Sequence, residues 1–358
     1  MSAGNQSFES AVAATLEATP SRIPVVVGPC GAGRTSLLLK AQTRIGNPRC
    51  QYVAFDRAVS TPERLFAELS AASSFAWTAP STRPASPREA FDRIAACLTG
   101  ARATDGAPAT WLIDEFLELK TLESFPGLRQ VVGEAIDVLS ASENRFVVTS
   151  RFVSRTLRAL REAGNRFVVM HVPPLTTADV AADLLRIPGF RSDAAEEAAK
   201  VIVALTGGRL AYATDAVRAL SDPTLRVHDP ISAFAALLSP GGSVSTRCRH
   251  SYEFRLHRAR GYGALKAILG ILSEDEPITL TDIAGRMQRT PGSTKDYLGW
   301  LEDVDLIVSH RKRYSFADPV LRLWVRLHTH CEPPDDARVA DVIQRYAVTR
   351  LSAAPESV

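Results

Sequence analysis

The sequence predicts an α/β protein in which a parallel sheet covered by helices is followed by an all-helical stretch and a small C-terminal unit. Three observations predict it. Five short β-branched runs alternate with longer amphipathic stretches in the first half; the runs are apolar enough to be buried on both faces; and the strand signal stops at Pro173-Pro174. At roughly 150 residues per domain, 358 residues hold two or three domains. With 46% hydrophobic and 23% charged residues the composition is that of an ordinary globular chain, which excludes wholesale disorder. No apolar run approaches the roughly 20 residues that span a bilayer. The opening MSAGNQSFES lacks the basic start and apolar core of a secretory signal, so a cytoplasmic location without membrane contact is expected.

The strands are expected over 23–27, 51–55, 110–113, 145–149 and 166–171. Between them apolar residues recur at helical spacing over 35–45, 61–72, 87–98, 128–140 and 154–163. The segment 77–87 holds Pro80, Pro84 and Pro87 among Ser and Thr and reads as a surface loop. Beyond Pro174 the helical period returns over 176–185, 192–205 and 211–220, and the Pro/Gly/Ser stretch 239–245 reads as a linker. A third unit then starts near Arg247, with helices over 263–272, 280–289 and 293–304, a turn at 290–292 and a hairpin over 307–316. The tail beyond Pro333 either packs as one helix or frays. The expected domains are therefore 1–172, 173–240, 246–332 and a tail 333–358. Five well-separated cysteines without a C-x-x-C pair give no indication of a disulfide framework or a zinc site, so reduced thiols are expected. A net charge of +3 permits a nucleic-acid partner without requiring one.

The strongest local signal follows the first predicted strand and opens the first predicted helix: Gly28-Pro-Cys-Gly31-Ala32-Gly33-Arg34-Thr35-Ser36. In that context glycines let backbone N–H groups turn inward on an anion, and the helix N-terminus adds partial positive charge. Gly28, Gly31, Ala32, Gly33, Arg34, Thr35 and Ser36 are the candidate phosphate cradle, with Arg34 as its cation and Thr35 as a ligand of Mg²⁺. Arg34 stands where the usual pattern has Lys. Its guanidinium is planar and bulkier than an ammonium, so phosphate binding is better supported than turnover.

A second signal is the apolar run that ends in Asp114 and Glu115, where Asp114 would enter the Mg²⁺ shell and Glu115 would polarise an attacking water. A third run ends in Thr149, Ser150 and Arg151. Ligands of open parallel sheets sit beyond the carboxyl ends of the strands, so Thr149 or Ser150 could orient the water and Arg151 reach a γ-phosphate. The competing reading is a helix cap by Ser150 or Ser154 beside a solvated arginine. Gly207-Gly208-Arg209 offers Arg209 either as a further phosphate contact or as an exposed side chain.

Together these segments resemble the AAA+ and STAND branch of P-loop ATPases, particularly the archaeal-type ATPases and origin-recognition-like proteins. Gly28 through Thr35 correspond to the Walker A loop, Asp114 and Glu115 to Walker B, and Thr149 through Arg151 to the sensor-1 strand end. The resemblance covers about residues 20–330. It implies a P-loop NTPase sheet core, ATP or ADP with Mg²⁺ as cofactors, a helical lid entered at Pro174-Leu-Thr, and a second sensor at Arg209. It also implies homo-oligomers in which a neighbour's arginine completes the site, with Arg155 and Arg158 as possible donors.

The third unit resembles the winged helix-turn-helix that often follows such cores. Pro277-Ile-Thr-Leu-Thr-Asp-Ile283-Ala284 fits the entry into its first motif helix, and Tyr297-Leu-Gly-Trp300-Leu301 the apolar face of a recognition helix. Ser293, Thr294 and Lys295 at that helix's start, and His310, Arg311, Lys312 and Arg313 in the wing, are the candidate contacts to double-stranded DNA. The basic run Arg247, Arg249, His250, Arg255, His257, Arg258 and Arg260 either tracks a phosphate backbone or pairs with acids of the ATPase core. Three functions follow. The first is an ATP-driven switch acting on DNA or a protein partner through the winged helix. The second is a non-hydrolysing regulator or adaptor with a degenerate loop. The third, a small-molecule kinase, is disfavoured because no acceptor-substrate domain is evident.

Overall fold

The computed structural model describes residues 3–46, 48–71, 75–78, 82–225, 227–257, 261–329 and 333–353. Pro80, Arg258, Arg260 and Cys331 lie outside the described residues. The chain separates into a compact unit of residues 7–172 and a second of residues 173–353, with residues 3–6 grouped with the latter.

The first unit runs α1 (Ala3–Glu17), β1 (Ile23–Val27), α2 (Arg34–Ile45), β2 (Cys50–Ala54), α3 (Phe55–Ala58), α4 (Pro62–Ala71), α5 (Pro87–Gly100) and β3 (Thr110–Asp114). A 3₁₀ helix (Phe116–Ser124), α6 (Val131–Ala141), β4 (Arg145–Ser150), α7 (Val153–Ala159) and β5 (Phe167–His171) complete it. The five strands form one parallel sheet in the order β2-β3-β4-β1-β5, with Val25 opposite Val148 and Trp111 opposite Phe146. Every residue of β1 and β3 is buried, as the uninterrupted apolar runs require of strands covered on both faces. On one face Val12 and Leu16 of α1 join Leu37 and Leu38 of α2 over Val26, Leu112 and Val147. Helix α1 was not expected, although Phe8, Val12 and Leu16 carry the four-residue spacing of a buried face. One consequence of strand order matters for the site: β4 lies between β1 and β3. Its carboxyl end therefore sits between the glycine loop after β1 and the acids at the end of β3.

The second unit begins with α8 (Thr177–Leu184), α9 (Ser192–Thr206), α10 (Leu210–Ser221), α11 (Pro230–Leu238) and α12 (Ser243–His257). It continues through α13 (Tyr262–Glu274), β6 (Ile278–Thr279), α14 (Leu280–Arg286), α15 (Pro291–Asp303), β7 (Ile307–His310), β8 (Arg313–Phe316), α16 (Pro319–His328) and α17 (Asp336–Ala353). The three short strands pair antiparallel in the order β6-β8-β7. Thr176 and Thr279 each close a capping box, with Asp179 and Asp282, which fixes where α8 and α14 start. The expected linker is only a tight turn over 239–242. A Cβ on Gly242 would stand 2.3 Å from the Leu237 carbonyl oxygen, so only glycine allows the chain to close back on α11. The tail packs as a helix against α9 and α11, burying Val339, Ile343 and Ala347. Tyr346 Oη and Arg350 Nε donate to the carbonyls of Leu205 (3.2 Å) and Ala204 (3.1 Å), satisfying groups that the last turn of α9 leaves unpaired.

Candidate functional site

Between β1 and α2 the backbone is shaped by glycine. Gly31 and Gly33 hold φ of 78° and 93°, a left-handed conformation that costs other residues energy. A Cβ on Gly28 would meet the Ala32 Cβ at 3.2 Å. Helix α2 starts immediately after, so its N-terminal N–H groups end at the loop. Arg34 is buried, and its guanidinium turns back on the loop, donating to the carbonyls of Gly28 and Pro29 and to Glu115 Oε1 at 2.7 Å. Its Nε is buried with no partner among the described residues. Thr35 and Ser36 are exposed, and Thr35 Oγ1 donates to Asp114 Oδ2 at 2.6 Å.

The acids at the end of β3 are held by hydroxyls and guanidiniums. Asp114 also accepts from Tyr52 Oη at 3.0 Å and from Thr149 Oγ1, and the Thr149 hydroxyl in turn accepts the Glu115 N–H at 3.0 Å. Glu115 has φ 58° and ψ 51°, a left-handed backbone that costs a non-glycine residue on the order of 1–3 kcal/mol and clusters at functional sites. Its carboxylate lies between two arginines. Oε1 meets Arg34; Oε2 accepts the Arg151 N–H at 3.0 Å and stands 2.9 Å from Arg151 Nε. Burial pushes the Glu115 carboxyl up, but Arg34 and Arg151 outweigh it and hold the group below its ordinary value. Arg151 also reaches Asp56, 3.3 Å away.

Loop, Thr35, Asp114, Glu115, Thr149 and Arg151 thus converge at one sheet edge. Ser150 is turned elsewhere: its buried hydroxyl accepts the Phe152 N–H at 3.1 Å, a local turn ahead of α7, whose N-cap residue Phe152 has no side-chain cap bond. The guanidinium of Arg155 lies 5.1 Å from the centre of the Phe152 ring. Tyr52 and Asp56 were missed, since nothing local in sequence marks which hydroxyl or carboxylate a fold brings to a strand end.

The residues expected in the second unit are placed less uniformly. Arg209 is engaged within that unit, donating to the Ala317 carbonyl at 2.7 Å and pairing with Asp318 at 3.4 Å, while Tyr212 Oη donates to Asp318 at 2.9 Å. Gly207 ends α9 in the left-handed conformation, and a Cβ on Gly208 would stand 2.5 Å from the Leu175 carbonyl oxygen. Chain geometry alone therefore requires both glycines. Thr294 corrects an expectation: it is fully buried, and its hydroxyl donates to Thr290 at 3.0 Å. It lies four and seven residues before the buried Leu298 and Leu301, on the helix's inner face. Ser293 is half-buried and bonded to Thr290, whereas Lys295 is exposed.

At the hairpin tip Arg311 and Lys312 are exposed, hold φ of 52° and 64°, and have no ion-pair partner among the described residues. Arg313 donates to the Pro277 carbonyl at 3.1 Å. Within the basic run, Arg247 pairs with Asp215 at 3.2 Å and Arg255 donates to the Asp305 carbonyl at 2.6 Å.

No protein-family profile matches the chain, and no curated protein matches it. Among solved structures it is similar to the Walker-type ATPase of Pyrococcus abyssi, with a TM-score of 0.67 and 17% identity over 90% of this chain and 95% of that one. The fold is that of a P-loop ATPase. Lower TM-scores relate it to the Orc1 protein of Aeropyrum pernix in complex with DNA (0.47, 16% identity, 98% of this chain and 93% of that one). A STAND protein of Pyrococcus horikoshii with a tetratricopeptide repeat sensor scores 0.33 at 16% identity, over 93% of this chain and 44% of that one. In this sheet the glycine loop after β1 and the two acids at the end of β3 flank the carboxyl end of β4. Among the described residues no helix is long and apolar enough to cross a membrane, and no cluster of His, Cys, Asp and Glu forms a metal site by itself.

Proposed function

We propose that the protein is a nucleotide-driven switch: residues 1–172 bind ATP with Mg²⁺, 173–240 form a lid, and 246–332 form a winged helix that acts on duplex DNA. The observation that carries this reading is the Thr35–Asp114 pair, 2.6 Å apart beside the glycine loop. A hydroxyl and a carboxylate are oxygen donors of the kind Mg²⁺ takes, with phosphates and water completing its shell. The donor set fits the group: Thr35 and Asp114 would hold the cation, and the N–H groups of the loop and of the start of α2 the phosphates. Bound Mg-ATP supplies a phosphoanhydride bond and the cation that neutralises its charge.

The chain's own residues do the rest. Arg34 is the buried cation available to phosphate once it leaves the carbonyls of Gly28 and Pro29. Glu115, released from Arg34 and Arg151, is the base that takes a proton from water. Arg151 then serves as the reporter of the γ-phosphate. A second reading, nucleotide binding without hydrolysis, is favoured by one observation: both carboxylate oxygens of Glu115 are engaged by arginines.

Support for DNA as the partner comes from the hairpin tip. A two-residue loop with both φ positive favours Asn-Gly, yet Arg311 and Lys312 occupy it with exposed side chains. Strain retained at two adjacent cations fits a wing that touches phosphate or minor groove. The test is titration with ATP and ADP in Mg²⁺, followed by single-turnover phosphate release by wild type and Glu115→Gln. Tight binding with release at least about 10²-fold slower in the variant is expected for loss of a base. Binding without release by the wild type would establish the second reading, and absence of binding would overturn both.

A further inference from the structure

A cleft of about 360 Å³ opens in the second unit between α16, α17 and the segment that joins α13 to β6. Small-ligand pockets enclose about 300–1,000 Å³. Four arginines line it, Arg322 and Arg326 one turn apart on α16, and Arg345 and Arg350 on α17, with Glu276 as the one acid. Each guanidinium is oriented by few contacts. Arg322 donates to the Ser273 carbonyl at 3.1 Å and pairs with Glu276 at 3.2 Å; Arg326 pairs with Glu274 at 3.5 Å, and Arg345 with Asp341. Among the described residues Arg350 bonds only the Ala204 carbonyl. With five N–H donors on each guanidinium, most have no protein partner among the described residues. Burial pushes the Glu276 carboxyl up, although the Phe316 N–H and Arg322 oppose this, which weakens it as a competitor for Arg322.

Planar guanidinium forks match the oxygens of phosphate two at a time. Four of them around one concavity suit a ligand carrying several phosphate charges. The enclosed volume accommodates a molecule of nucleotide or polyphosphate size and is far too small for a duplex. The cleft exists only because α17 returns to the unit, and its residues are separate from the glycine loop. We propose that it binds a small, multiply phosphorylated molecule held by Arg322, Arg326, Arg345 and Arg350. This holds whether or not the glycine loop binds ATP.

Calorimetric titration of the full chain with inorganic pyrophosphate tests it. The side chains of Arg326 and Arg345 are 49% and 70% exposed, so their joint replacement by alanine is not expected to disturb folding. The double substitution is expected to weaken one saturable site by about tenfold or more, the cost of losing charge-assisted hydrogen bonds. Arg34→Ala is expected to leave that site intact, and Arg338→Ala, elsewhere on α17, serves as the control. An unchanged titration of Arg326→Ala/Arg345→Ala overturns the proposal. So does an effect of that pair on duplex DNA binding alone, which would make the arginines a nucleic-acid contact.

Discussion

The glycine loop and the hairpin tip both present cations where the sequence leads one to expect a phosphate, but they do so under opposite conditions. At the loop, Arg34 is buried and Arg151 half-buried, and they share Glu115 between them. At the tip, Arg311 and Lys312 are exposed and have no ion-pair partner among the described residues. A buried charge is stable only with a counter-charge, so an incoming phosphate must displace the protein's own carboxylate. An exposed charge has no such competitor, but its attraction falls with added salt. The first site is a lock opened by exchange, and the second is a contact tuned by ionic strength.

The largest effect that would break this contrast is expected from Arg34→Ala. Loss of two charge-assisted bonds to phosphate, about 1.5 kcal/mol each at least, should weaken ATP binding about a hundredfold or more. Unchanged affinity by equilibrium titration would remove Arg34 from the site. Asp114→Asn should cost about tenfold or more in ATP affinity in the presence of Mg²⁺ and nothing in its absence. Titrations with and without a chelator separate these outcomes; equal losses in both would mean that Asp114 acts through the backbone and not through the cation. Replacing Arg311 and Lys312 together by alanine should flatten the slope of log affinity for duplex DNA against log salt by roughly 1.8, two phosphates' worth. An identical slope would move the DNA surface elsewhere.

The smallest effect concerns acid. Because its two arginines hold the Glu115 carboxyl below the ordinary value of 4.5, the clamp's stabilisation is fully present above that pH. It disappears as pH falls through the lowered value. Glu115→Gln should remove this acid-side loss from denaturation curves of the nucleotide-free protein, and matching acid limbs would show that the clamp is not titrating.

Much of this was legible in advance for identifiable physical reasons. Strands buried on both faces must be apolar throughout, so β1, β3 and β4 are visible as uninterrupted runs, and a strand followed by glycines and a helix leaves few alternatives to an anion loop. Helix positions were readable to within a turn wherever apolar spacing was strong. Partner choice was not. Arg209 could be read as a phosphate contact or a solvated side chain, and it meets Asp318 instead, a pairing that no local pattern encodes. Arg34 and Glu115 were each recognised, but that they neutralise one another depends on β4 being inserted between β1 and β3. Thr294 is a different kind of miss. Its spacing to Leu298 and Leu301 marks the inner face of α15, and that signal was in the sequence.

Asp318 accepts the N–H groups of Val320 and Leu321 while also holding Tyr212 and Arg209, and Arg209 binds Ala317, the residue that follows β8. One carboxylate therefore fastens the start of α10, the start of α16 and the foot of the hairpin at a single point. Parts riveted together cannot swing independently. The hairpin tip must travel wherever α10 is carried, as the far end of a lever whose arm is set by this joint.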